Sequence, residues 1–120
     1  MRSKPNSNLD TRFYSQKQEA SVAKALGGTT CPNSGAGNFN KSDVIVKNAS
    51  LSIECKTCMK DQTSFSIKKD WIEKHKAEAF AMRLQNDCLA FNFGPGQPNY
   101  YIINESLMQQ LVEYLEESLK

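Results

Sequence analysis

The chain has 120 residues and a mass of 13.5 kDa, with 39% hydrophobic and 23% charged residues, a net charge of +2 and a mean hydropathy of −0.57. These values describe one ordinary globular domain and exclude disordered, collagen-like and fibrous classes. No apolar run reaches the roughly 18 residues a membrane span needs. The polar stretch 1–10 lacks the apolar core of a secretory leader, so a cytoplasmic protein is expected.

Charge is uneven along the chain. Residues 1–60 hold nine Lys/Arg against four Asp/Glu, and residues 61–120 hold six against nine. A basic half fits a nucleic-acid partner or an unevenly solvated surface, and charge alone does not choose. Cys31, Cys55, Cys58 and Cys88 are expected to be reduced thiols. Cys55-Lys56-Thr57-Cys58 is a CxxC pair, and Cys31 and Cys88 would complete four zinc ligands. Those two are lone, however, and a buried free thiol explains Cys55 and Cys88 in apolar runs.

In chain order, residues 1–12 read as a frayed segment and 13–120 as a single domain. A helix is expected over 13–26, stopped by Gly27-Gly28. A loop follows over 29–41, then strands over 43–47 and 50–57. Ser66 is placed to cap a helix running to about residue 85, with Trp71 and His75 on its apolar side as core residues. Short strands follow at 89–93 and 100–103, and Asn104 caps a last helix with Leu107, Leu111, Leu115 and Leu119 at i+4 spacing. The order helix, strand, strand, helix, strand, strand, helix is that of a mixed α/β domain.

The chemistry lies in the two strands after the loop. Alternate strand residues share a face, so Glu54 and Lys56 point one way and Leu51, Ile53 and Cys55 the other, into the core. With Asn48-Ala49 as a two-residue hairpin turn, Val46 faces Leu51, Val44 faces Ile53 and Asp43 faces Glu54. A slip of one residue would mix apolar and acidic faces. Directly opposed carboxylates repel. Lys56 or a divalent cation such as Mg²⁺, which takes one or two carboxylates and keeps several waters, would offset that repulsion. A third acid, Glu19, lies on the helix stripe marked by Val22 and Leu26. It either reaches the Asp43–Glu54 pair or snorkels to water.

Asp43 followed by Glu54-Cys55-Lys56 resembles the signature of the PD-(D/E)XK nuclease superfamily. Glu19, the Gly27-Gly28 turn and Asn33-Ser34-Gly35-Ala36-Gly37 ahead of Asp43 resemble its Holliday-junction-resolvase branch, although Ser42 stands where a proline is usual. The resemblance covers about residues 13–103. It implies a restriction-endonuclease-like fold: a mixed central sheet flanked by helices, in the order α-β-β-β-α-β-β-α or close. It also implies a homodimer that cuts branched DNA with Mg²⁺, or Mn²⁺ in its place. Asp43, Glu54 and the Cys55 carbonyl would be metal ligands, with Glu19 ligating directly or through water. Lys56 would orient the attacking water or stabilise developing charge. Ser34 and Gly35 would lie near a backbone phosphate.

Three further groups have two readings each. Phe39 either stacks on a base or plugs the edge of the core. The loop holding it, with Lys41 at its end, lacks the third glycine of a dinucleotide fingerprint and precedes a strand, so it reads as a substrate-binding loop. Lys60, Ser66, Lys68 and Lys69 either grip phosphate at a helix start or are simply solvated. The competing functional readings are a nuclease acting on flaps, nicks or linear DNA, and a non-catalytic DNA-binding or zinc-clipped adaptor module.

Overall fold

A computed structural model describes residues 7–31 and 42–120. Helix α1 (Ser7–Leu26) leads into strands β1 (Thr29–Thr30), β2 (Val44–Val46) and β3 (Leu51–Lys56). Helix α2 (Lys69–Ala81), strands β4 (Asn86–Phe91) and β5 (Tyr100–Ile103), and helix α3 (Glu105–Ser118) complete the chain. The five strands form one mixed sheet in the order β1-β2-β3-β4-β5. Only β3 and β4 run parallel, joined through α2 as a parallel pair requires a crossover. The described residues thus form a mixed α/β fold with a five-stranded sheet and three helices.

The sheet's two faces are covered differently. Val44, Ile53, Cys88 and Ala90 share one face by register and bury against Val22 of α1. Val46, Leu51, Cys55, Tyr101 and Ile103 pack around them. Each fully buried aliphatic side chain contributes on the order of 2 kcal/mol by leaving water. The other face carries Ser52, Glu54, Lys56, Leu89 and Phe91, and α2 lies over it. His75 of α2 reaches Ser52 there, its Nε2 lying 3.1 Å from the hydroxyl and 3.0 Å from the carbonyl oxygen. Ser52 also hydrogen-bonds Ser42. His75 is therefore a buried packing residue, as its stripe position predicts.

Local signals explain most element ends. Gly27 takes φ 68° and the Gly28 N–H donates to the Ala23 carbonyl at 2.8 Å, which closes α1 with a left-handed cap. Gly28 then passes so close to β2 that a side chain would meet the Ile45 carbonyl oxygen at 2.9 Å. Asn104 caps α3 by accepting from the Leu107 N–H at 2.8 Å.

Several expectations need correction. The first helix starts at Ser7, so residues 7–12 are helical rather than frayed. Leu26 is 39% exposed at the last position of the helix and is not part of the buried core. The β2–β3 link is not a two-residue turn but a 3₁₀ turn, Lys47–Ala49, with Ser50 at φ 48°. The register is nonetheless the one the apolar pairing dictates, Val44 opposite Ile53 and Val46 opposite Leu51. Ser66 caps nothing: α2 begins at Lys69, and Lys68 at its N-cap makes no side-chain cap. Phe65 packs on Phe91 and Trp71, and the chain stays non-helical through Lys68.

Candidate active site

Asp43 enters β2 at the point where β3 delivers Glu54. Its backbone is held from both sides: its N–H donates to the Ile53 carbonyl at 3.2 Å, and its carbonyl accepts from Cys31 N–H at 3.1 Å. Its side chain is held as well, with Oδ2 accepting from the Cys55 N–H at 2.8 Å. In an extended strand a residue's N–H and C=O point to the same edge. The Cys55 carbonyl therefore opens on the side where the Asp43 carboxylate sits.

Glu54 is pushed up from 4.5 to about 8. Burial is the main cause; a hydrogen bond with Asp43 and repulsion from it add to the shift, Glu78 adds more, and Lys56 opposes it. Glu19 is pushed up to about 7, first by burial and then by Asp43. Of the two strand acids, Asp43 is the one whose charge acts on Glu19. Lys56 Nζ lies 3.9 Å from Glu54 Oε2 and 4.4 Å from the centre of the Trp71 ring. Carboxylates crowded together without enough positive charge fit a cation bound among them.

Hard oxygen donors suit Mg²⁺: Asp43, Glu54, the Cys55 carbonyl and Glu19 are the groups that would hold it. Among the described residues no group of three or more His, Cys, Asp and Glu side chains is placed to hold a metal ion, so Asp43, Glu54 and Glu19 do not form a three-carboxylate cage. A Mg²⁺ site with one or two carboxylates and several waters needs no such enclosure. The same finding removes a four-cysteine zinc clip from the described residues. None of Cys31, Cys55, Cys58 and Cys88 forms a disulfide among the described residues; burial raises Cys55 strongly and pushes Cys88 up to about 12, so both stay protonated.

Of the residues expected to touch DNA, Lys68 joins the site through Trp71, with its Nζ 5.7 Å from the ring centre. Lys69 is turned to Glu73 within α2 at 3.5 Å. Lys60 and Ser66 are exposed between β3 and α2. Ser34, Gly35, Phe39 and Lys41 lie outside the described residues.

Sequence reasoning passed over Gln18. It is buried, and its Nε2 donates to the carbonyls of Lys56 (2.9 Å) and Ala90 (3.3 Å) and to Asn99 Oδ1 (3.4 Å). It thereby pins the end of β3 from which the Lys56 side chain emerges. Its Oε1 is buried without a partner among the described residues. The i+4 spacing from Gln18 to Val22 was the available signal. Trp71, expected to be core, is half-buried and sits over Lys56 instead.

No family model matches this chain, and no curated protein or solved structure matches it.

Proposed function

We propose that the protein is a Mg²⁺-dependent endonuclease of restriction-endonuclease-like fold that hydrolyses phosphodiester bonds in branched DNA. One observation carries the reading: Asp43 and Glu54 meet at one end of the β2–β3 pair, with Lys56 beside Glu54 and with Glu19 of α1 feeling the charge of Asp43. Bound there, Mg²⁺ would supply Lewis-acid activation of the phosphate and of a water. Asp43, Glu54 and the Cys55 carbonyl would hold the ion, and Glu19 would add negative charge from α1. Lys56 places an ammonium where charge grows on the phosphate or where the attacking water must be oriented. Gln18 fixes the strand end under Lys56. A four-way junction needs two symmetric cuts, which a two-fold homodimer supplies. The apolar side of α3, with Met108, Leu111 and Leu115 exposed, is available for that contact. Among the described residues no helix is long and apolar enough to cross a membrane. The site of action in this reading is the cytoplasm of a prokaryotic or phage-infected cell.

The test is cleavage of an immobile four-way junction and a linear duplex of the same sequence, with Mg²⁺ or EDTA, mapped at nucleotide resolution. Symmetric Mg²⁺-dependent cuts confined to the junction are expected. Cutting of both substrates would remove the junction preference, and no cutting with Mg²⁺ or Mn²⁺ would overturn the enzyme reading. Asp43→Ala, Glu54→Ala and Lys56→Ala are each expected to abolish cleavage while leaving DNA binding largely intact.

A further inference from the structure

Lys56 ends β3, and its neighbours across the sheet are aromatic. The register sets Lys56 opposite Phe91 and Phe91 opposite Tyr100, so these side chains form one row on the face that carries Glu54. Ring contacts extend the row on both sides. Phe91 meets Phe65 at 5.1 Å, Phe93 at 5.5 Å and Tyr100 at 5.8 Å between centroids. Phe65 in turn meets Trp71 at 6.4 Å. Trp71 carries Lys56 and Lys68 at its ring. The apolar core lies on the opposite face, against α1. None of these five rings is buried, and Tyr100 is 49% exposed.

We infer that this row is a stacking platform for the unpaired bases of a nucleic-acid strand leading into the candidate active site; the inference rests on the endonuclease reading above. The row offers partly exposed apolar rings, tilted or edge-on to one another, with Tyr100 open at one end and cations at the other. A strand with exposed bases presents the complementary chemistry, planar π-faces on a chain of phosphates. Lys69 is engaged by Glu73 and Lys56 is shared with Glu54, so Lys68 is the cation without an acidic partner among the described residues at the ring end of the row. A closed duplex keeps its base faces stacked inside and cannot use such rings. The substrate class is therefore DNA with an unpaired stretch beside the cut, as at an open junction centre or a flap.

Trp71 is the only tryptophan, so its fluorescence reports directly on the row. The wild-type protein in EDTA is titrated with an oligothymidylate of about 12 nucleotides, an abasic strand of equal length and charge, and a blunt duplex. Oligothymidylate is expected to quench Trp71 and to bind about tenfold tighter than the abasic strand. Tyr100→Ala is expected to lose about tenfold for oligothymidylate with duplex affinity unchanged, and Tyr100→Phe to keep the wild-type value, with melting curves showing both variants folded. Equal affinity for the abasic and base-bearing strands, or an unaltered Tyr100→Ala, would overturn the platform. Junction cleavage without base-dependent binding removes the platform and leaves the nuclease. Base-dependent binding without cleavage does the reverse.

Discussion

Replacing Glu54 by glutamine should stabilise the metal-free protein while destroying its proposed activity. Glu54 is held protonated up to about pH 8 in the folded chain, against 4.5 as its ordinary value. The unfolded chain releases that proton earlier, so between those two values each rise in pH favours unfolding. At about 1.4 kcal/mol per pH unit, the full gap sets a ceiling of about 5 kcal/mol. The side chain is 25% exposed, and water and local relaxation screen it, which leaves about 2 kcal/mol. Glu54→Gln removes this penalty and keeps the shape and a donor toward Asp43. For a domain of this size the gain corresponds to roughly 8 °C in Tm. The assay is a set of thermal melts in EDTA from pH 8.5 downward. The variant should melt above wild type at pH 8.5, and the difference should shrink as pH falls and vanish below about 4.5. Added Mg²⁺ should raise the Tm of the wild type and leave the variant unmoved. A variant no more stable than wild type at pH 8.5, or a difference constant with pH, would refute the reasoning.

Four further outcomes follow from packing and hydrogen bonding. Ile53 is fully buried at the centre of the core, so Ile53→Ala should cost about 3 kcal/mol in urea unfolding. Gly28→Ala drives a methyl against the Ile45 carbonyl and the Val44 side chain, and should lower Tm by several degrees, about 1–2 kcal/mol. Gln18→Leu strips a donor from the Lys56 and Ala90 carbonyls and should cost about 1–3 kcal/mol while reducing cleavage. Gln18→Glu should be worse than Gln18→Leu, because it sets a carboxylate against two carbonyls and beside Glu19; equal melting of the two variants would contradict that role.

What the sequence determined by itself is everything governed by neighbours a few residues away. Alternation in β3 assigns Ile53 to the core face and Glu54 with Lys56 to the other. The apolar pairs Val44–Ile53 and Val46–Leu51 set the β2–β3 register, because any slip would bury acids, and they do so even though the link is a 3₁₀ turn. Gly27-Gly28 and Asn104 mark helix ends by chemistry confined to one turn. The spacing on α1 sets Glu19 on the stripe that buries Val22, where the charge of Asp43 acts on it. The tertiary structure decided what depends on distant partners. Only the parallel β3–β4 pairing sets Lys56 beside Phe91, and only the placing of α2 puts Trp71 over Lys56. Phe65, packed on Phe91 and Trp71, precedes a stretch that stays non-helical to Lys68, and so Ser66 failed as a cap. Gln18 looks polar and superficial in the sequence, yet it is buried because the carbonyls of two strands converge on it. Those strands lie 38 and 72 residues away, beyond the reach of any local pattern.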